Sequence, residues 1–123
     1  DLFKDLDEKI GDEFGGIVYH SCGVWEKKIH MVKSYRNVKC ADGAFTIETD
    51  PSPNKPEVFG DAFNGSGIVL NARAVGNAEN SFEAFQKLWR PNQKLICVTY
   101  CKSVEEQEQL YNCLHAMERG ETV

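Results

Sequence analysis

The stretch "NSFEAFQKLWRPNQKLICVTYCKSVEEQEQLYNCLHAM", residues 80–117, decides the expected fold. Its first half reads as two short apolar strands, "SFEAFQKLW" and "KLICVTYC", joined by the turn "RPNQ". Its second half reads as one long helix. Ser103 is a good N-cap, and Glu106 follows at the spacing of a capping box. Apolar residues recur on one helix face, and Gly120 is the predicted terminator.

Upstream of this stretch, short apolar segments alternate with turn signals. "GIVYHS", "KKIHMVK" and "GIVLNARAV" are strand candidates, and "EVFGDAF" is a weak one. "YRNVKC" and "AFTIET" flank Asp42-Gly43, a strong hairpin signal. The proline-rich "DPSPNKPE" is a loop. The sequence therefore predicts a mainly β fold, a seven-stranded antiparallel, partly open barrel or sandwich whose open end is capped by the C-terminal helix.

A short helix is predicted at the start of the chain, where residues 2–10 carry apolar residues at helical spacing. Gly15-Gly16 ends this pattern. We predict a leading helix or interdomain segment over 1–14 and one domain over 15–123. The chain begins at Asp1 without a Met, so we expect it to be a piece of a longer protein.

Composition and charge narrow the class of protein. Hydrophobic residues make up 41% and charged residues 27%, as in soluble globular proteins. The net charge of −5 argues against a broad nucleic-acid surface. The sequence contains neither a membrane-spanning run nor a signal peptide. We expect a cytoplasmic protein, with peripheral membrane attachment as the alternative.

The five cysteines are odd in number and none lies in a CxxC pair. We expect free thiols in a reducing compartment, and no metal or cofactor. Cys22 near His20 is the best candidate for a nucleophile, but it lies in a predicted turn. Cys113 and His115 are two apart on a helix and point in different directions. We therefore expect no catalytic residue and no enzyme activity.

Four segments resemble the pleckstrin-homology (PH) domain family. "GGIVYH" resembles its first strand, and "YRNVKCADGAFTIETDPSPNKP" its second and third strands with the loop that follows. "SGIVLNARAVGNAENSFEAFQ" resembles its later strands, and "KLICVTYCKSVEEQEQLYNCLHAM" its last strand and closing helix. The family usually carries a tryptophan in that helix, where this chain has Leu110. The resemblance implies a barrel sealed by the helix.

Ligand-binding residues are predicted within and just before the basic stretch "WEKKIHMVKSYRNVK". An inositol phosphate or an acidic partner could contact these cations. The candidates are His20, Lys27, Lys28, His30, Lys33, Arg36 and Lys39. In phosphoinositide-binding PH domains, a first-strand lysine matches His20 here, and the nearest basic unit is Lys28-Ile29-His30. The full lipid motif is thus absent. Trp25 and Trp89 are candidate protein contacts.

The expected function is a non-catalytic interaction module in a larger signalling protein, binding a protein partner or a neighbouring domain of the same chain. "ENSFEAFQ" is similar to PH domains that follow guanine nucleotide exchange factor domains, which implies a regulator of small GTPases. We expect at most weak phosphoinositide binding and no nucleic-acid partner. One alternative is a phosphoinositide-binding domain that targets membranes through Lys27 and Lys28. Another is a small β-barrel carrier of an apolar ligand.

Overall fold

A single four-stranded parallel sheet organises the fold in the computed structural model, which describes residues 2–122. The strands are β1 (Ile17–His20), β2 (Val38–Ala44), β3 (Val69–Arg73) and β4 (Lys94–Val98). They lie in the order β1-β2-β3-β4, and every neighbouring pair is parallel. The prediction of a mainly β, seven-stranded antiparallel barrel is therefore wrong, and the fold is α/β.

Within residues 2–122, five helices accompany the sheet, and several begin at residues suited to a helix start. They are α1 (Leu2–Phe14), α2 (Ile29–Ser34), α3 (Pro56–Phe63), α4 (Ala78–Leu88) and α5 (Val104–Glu118), with a 3₁₀ turn at Glu26–Lys28 before α2. Pro56 occupies the first turn of α3. The side chain of Asn77 caps α4 by accepting a hydrogen bond from the Asn80 amide.

The predicted ends of the last helix are confirmed. Ser103 Oγ accepts a hydrogen bond from the Glu106 amide at 3.1 Å. Gly120 follows the helix with φ +72°, a left-handed conformation that glycine adopts without strain. Its amide donates to the Met117 carbonyl, and the Glu121 amide donates to the Ala116 carbonyl. Crossed hydrogen bonds of this kind are the usual end of a helix at glycine.

Three segments that the sequence analysis assigned to strands are helical. "KKIHMVK" forms the end of the 3₁₀ turn and most of α2, "EVFGDAF" lies in α3, and "SFEAFQKLW" lies mostly in α4. Their buried residues recur at helical spacing: Phe59 and Phe63 in α3, and Ser81, Ala84, Phe85 and Leu88 in α4. The "RPNQ" turn therefore joins a helix to a strand and does not close a hairpin.

The predicted hairpin at Asp42-Gly43 is also wrong, because both residues lie inside β2. This strand is central and closely packed, with Ala41 and Ala44 at most 1% exposed. A side chain at Gly43 would meet the Phe45 ring at 3.0 Å. Small residues are thus required by the packing over this strand, and that packing overrides the turn preference of the Asp-Gly pair.

The two faces of the sheet differ in what covers them. Because right-handed crossovers between strands in consecutive order lie on one side, α2, α3 and α4 share one face. This covered face carries Tyr19, Ala41, Leu70 and Ala72, and it packs into a core with Val32, Phe59, Phe63, Phe85 and Leu88. The aromatic rings meet edge to face, with Trp25 and Phe59 centroids 4.6 Å apart.

The opposite face, here called the open face, carries Val18, His20, Asp42, Asn71 and Ile96. Val18 is 64% exposed and Ile96 is 50% exposed. Parallel sheets usually have both faces covered, so two aliphatic side chains exposed on one face of this sheet are unusual.

The first and last helices flank the sheet at its two edges. Glu8 of α1 is buried and accepts hydrogen bonds from the Arg36 amide and Nη1. Asp12 pairs with Arg36 Nη2 at 2.7 Å, and the hydrogen bonds from Arg36 lower the pKa of Asp12. The predicted segments 1–14 and 15–123 begin and end on residues outside the described part of the chain, and their boundary stays a prediction.

The last helix does not seal a barrel, which corrects the role predicted for it. The α5 helix lies beside α4, and the two helices enclose a hollow lined by residues of both. Leu110, which stands where the PH family usually carries a tryptophan, is buried at this helix pair.

Candidate active site

Polar residues of three strands meet at the carboxyl edge of the open face. In the register of the sheet, His20 of β1 lies beside Asp42 of β2, and Asp42 lies beside Asn71 of β3. Arg73 follows two residues later on β3, so it points to the same face. The carboxyl ends of parallel strands are the usual place for ligands in open α/β sheets.

His20, Cys22, Asp42 and Arg73 form a chain of contacts that we call the His20 cluster. His20 Nδ1 lies 2.8 Å from Asp42 Oδ2, and Arg73 Nε donates to Asp42 Oδ1 at 2.8 Å. The Asp42 side chain is 14% exposed, whereas that of His20 is 56% exposed. Asp42 is thus held from two sides at the sheet, while the imidazole faces outward.

The second ring nitrogen of His20 faces a thiol. Cys22 Sγ lies 3.9 Å from His20 Nε2, and Cys22 is exposed. Because a carboxylate only accepts hydrogen bonds, the neutral imidazole that binds Asp42 carries its proton on Nδ1. Its Nε2 is then an acceptor directed toward the thiol. The order thiol, imidazole, carboxylate is the arrangement that activates a nucleophile.

The loop that carries Cys22 is fixed by a second loop that follows β2. The Gly23 amide donates to Asp50 Oδ2 at 2.9 Å, and the Trp25 amide donates to Asn54 Oδ1 at 2.8 Å. Backbone hydrogen bonds from Ser52 and Gly23 lower the pKa of Asp50. Asn54 is only 2% exposed, so the hydrogen bond between the Trp25 amide and the Asn54 side chain is protected from water. Both loops therefore hold Cys22 near the sheet edge.

The other thiols provide a contrast within the same chain. Burial raises the pKa of Cys97 to about 12. Burial also raises the pKa of Cys40, and burial together with the Glu106 carboxylate raises the pKa of Cys101. A raised pKa keeps a thiol protonated and unreactive. Cys22 differs from these three in lying exposed beside an imidazole.

The placement of the side chains in the cluster does not point to a metal centre. No group of three or more His, Cys, Asp or Glu within residues 2–122 is placed to hold a metal ion. Arg73 contributes a cation where a metal site would need another ligand. Its Nη2 is buried and makes no hydrogen bond within the same residues.

Of the ligand-binding residues predicted from the sequence, only His20 belongs to this cluster. Lys27 and Lys28 lie in the 3₁₀ turn, His30 and Lys33 lie on α2, and Lys39 lies on β2. Arg36 is engaged by the acidic residues of α1. Lys33 Nζ donates to the Ala62 carbonyl. A shared anion site for these residues stays a prediction.

The two tryptophans proposed as protein contacts have different surroundings. Trp25 is 2% exposed and packs with Tyr19, Phe59 and Phe63. In this structure its ring supports the core beneath the Cys22 loop. Trp89 is half-buried and lines a shallow hollow with Leu114.

Sequence reasoning missed Asp42, Asn71 and Arg73 as site residues. Asp42 was assigned to a turn, and the other two were assigned to a strand without a role. The available signal was a polar or charged residue within or at the end of a short run of apolar or small residues, "VKCADGA" and "GIVLNARAV". In a parallel sheet such positions converge at one edge, whereas in the predicted antiparallel barrel they would not.

Comparison with protein-family models, with curated proteins and with solved structures finds no match to this chain. Within residues 2–122, every helix is too short or too polar to span a lipid bilayer. The PH-like fold is excluded by the parallel sheet, so the functions inferred from that fold lose their structural basis.

Proposed function

We propose that this protein is a hydrolase or transferase that uses the thiol of Cys22 as nucleophile, His20 as general base and acid, and Asp42 as the residue that orients His20. One observation carries the proposal. The two ring nitrogens of His20 have different partners, Asp42 Oδ2 at 2.8 Å and Cys22 Sγ at 3.9 Å. Two strands and the loop that follows β1 supply these three side chains, so the order arises from the fold.

The proposed reaction is acyl transfer. His20 Nε2 takes the proton of Cys22, and the thiolate sulfur attacks the carbonyl carbon of an ester, thioester or amide. The bond from that carbon to the leaving group breaks, and the leaving group takes the proton from His20 Nε2. Water or another acceptor, deprotonated by His20, then attacks the acyl carbon, the carbon–sulfur bond breaks, and the Cys22 thiolate takes the proton back from His20 Nε2. Throughout, the negative charge of Asp42 stabilises the protonated imidazole.

Arg73 is a positioning residue in this scheme. Its Nε holds Asp42 Oδ1 at 2.8 Å, which leaves Oδ2 for His20. The distance of 3.9 Å from sulfur to nitrogen is compatible with a nucleophile and base in the absence of substrate, where catalytic hydrogen bonds are often long.

A second candidate function is favoured by the shorter of the two contacts. The pair of His20 and Asp42 at 2.8 Å could activate a water molecule directly, with Cys22 as a neighbour only. The adaptor role expected from the sequence has no comparable support, because it depended on a barrel fold that the parallel sheet excludes.

The test is alkylation of the native protein by iodoacetamide, with each cysteine followed by mass spectrometry. We expect Cys22 to react first and Cys97 last, because burial keeps the Cys97 thiol protonated. His20→Gln and Asp42→Asn should each slow Cys22 by about tenfold, because an unassisted thiol is only a few per cent thiolate at neutral pH. The other cysteines should keep their rates.

His115→Gln is the matched control. His115 also pairs with a carboxylate, Glu118, at 3.3 Å, and it lies two residues from Cys113 as His20 lies two residues from Cys22. This variant should leave Cys22 unchanged. Equal Cys22 rates in wild type, His20→Gln and Asp42→Asn would remove the nucleophile and leave the water-activating pair as the better assignment.

A further inference from the structure

The number and order of the strands determine how the open face can be closed. The sheet has four consecutive parallel strands with helices on one face. A closed parallel barrel with an interior that side chains can fill needs about eight strands, so this sheet has half of them. In the described part of the chain, β1 and β4 each have one strand neighbour, so each leaves an edge without strand pairing. Unpaired edges of this kind invite pairing with another chain.

The open face has the composition of a barrel interior. Branched aliphatic side chains lie on this face along the whole length of the strands, and the His20 cluster lies among them toward the carboxyl ends. The aliphatic members are Val18, Val69, Ile96 and Val98. In parallel barrels, the interior is filled by such residues, and the polar residues at the carboxyl ends form the site.

Exposed apolar side chains concentrate at the two edges of the sheet. Of 13 large apolar residues that are exposed within the described chain, 10 lie on α1, on β1, or in the segment from β4 to α5. On one side these include Leu6, Ile10 and Phe14 of α1, and on the other Val104 and Tyr111 of α5. An apolar surface this uneven is typical of an interface.

The charges at the two edges are complementary. Asp7 of α1 lines a hollow beside β1 together with Val18 of the open face, and Lys94, the exposed first residue of β4, lies on the open face at the amino end of that strand. Neither side chain forms an ion pair within residues 2–122. If β1 of one copy pairs in parallel with β4 of another, the amino ends of both strands meet, and the Lys94 side chain, at the amino-end opening of the barrel, comes next to the hollow that Asp7 and Val18 line.

We propose that two copies of this chain close on each other through the open face and form a parallel barrel of eight strands. Each β1 pairs with β4 of the other copy, so a two-fold axis runs along the barrel and both seams are the same. The α1 helix of one copy then lies next to α5 of the other outside each seam. Both His20 clusters open at one mouth. The proposal does not depend on the proposed function.

Sedimentation equilibrium is the first test. We expect a mass about twice the 13.9 kDa of one chain, and Ile96→Asp should shift the protein to monomer because it would bury a charge inside the barrel. Val58→Asp is the matched control, because Val58 is an exposed aliphatic residue on the outer helix α3 and should leave the dimer intact. A wild-type protein that is folded and monomeric at high concentration would overturn the proposal.

Exchanging the charges of Asp7 and Lys94 distinguishes the proposed β1–β4 seam from any other dimer interface. This test does not require a substitution at a buried position. Asp7→Lys and Lys94→Glu should each weaken dimerisation by about tenfold, and the two together should restore it. Circular dichroism spectra should be unchanged in all three variants. A dimer that is indifferent to these changes and to Ile96→Asp would show that another surface associates, and the barrel would be excluded.

Discussion

The two faces of the sheet differ in how far they are buried. On the covered face, Ala41, Leu70 and Ala72 are fully buried beneath three helices. On the open face, Val18 and Ile96 are at least half exposed, and His20 reaches outward from Asp42. Stability therefore comes from one side of the strands, and the candidate chemistry lies on the other.

This division follows from the strand order. Because the strands run consecutively, each right-handed crossover returns to the same side, and no connecting helix is left for the opposite face. A doubly wound sheet reverses its order and so covers both sides. The open face is therefore a consequence of the topology, and any group that covers it comes from outside the four strands and the helices that connect them.

The largest expected difference between the faces is in the free energy of unfolding. Phe59→Ala removes a fully buried ring at the centre of the covered side and should cost about 3–5 kcal/mol. Ile96→Ala, on the open face, should cost less than about 1.5 kcal/mol in a monomer. Urea unfolding measures both. Similar costs would mean that the open face is packed in solution, as the proposed dimer requires at high concentration.

A smaller change in the free energy of unfolding is expected from the hydrogen bond that joins the loop after β1 to the loop after β2. Asn54→Ala leaves the Trp25 amide without its acceptor and should cost about 1–3 kcal/mol. It should also slow the alkylation of Cys22, because the loop that holds the thiol near His20 loses an anchor. Asn112→Ala, an exposed change on α5, is the control and should alter neither quantity.

The smallest effect is a pH dependence from the covered face. Burial raises the pKa of Cys97 from 9.0 to about 12. Below pH 9 the thiol is protonated in both folded and unfolded chains, so its contribution is complete. Between these values only the unfolded chain releases the proton, and stability falls by up to about 1.4 kcal/mol per pH unit.

Urea unfolding one pH unit below and one above the ordinary thiol pKa measures this loss. Cys97→Ala should reduce the slope but not abolish it, because the pKa values of Cys40 and Cys101 are also raised. A wild-type slope equal to that of Cys97→Ala would show that Cys97 is not buried as described.

Part of the fold could be predicted from local signals. Three of the four strands and the last helix were predicted near their observed positions. The ends of the helix could be predicted because Ser103 and Gly120 are local signals for its start and its end. The α4 segment was misread because Phe82 and Phe85 favour strands by composition, although its buried residues follow a helical period. Together with the two other helices read as strands and the hairpin predicted at Asp42-Gly43, this error changed a parallel α/β fold into an antiparallel barrel.

The candidate site could not be predicted to the same extent, because it depends on register between distant strands. His20 and Cys22 were noticed as neighbours in sequence, but Asp42 is 22 residues away and joins them only when β1 and β2 are parallel. The turn preference of Asp42-Gly43 concealed this. The packing of Phe45 against Gly43, which favours the strand, is a tertiary contact that no local pattern contains.

The most direct test of the central claim is the protonation of His20, read from the nitrogen chemical shifts of its ring by NMR in wild-type protein and in Asp42→Asn. We expect neutral His20 to carry its proton on Nδ1, with Nε2 as the acceptor toward Cys22, and Asp42→Asn to change that preference because an amide can donate to Nδ1. A ring protonated on Nε2 in the wild type, with no response to Asp42→Asn, would contradict the proposed site.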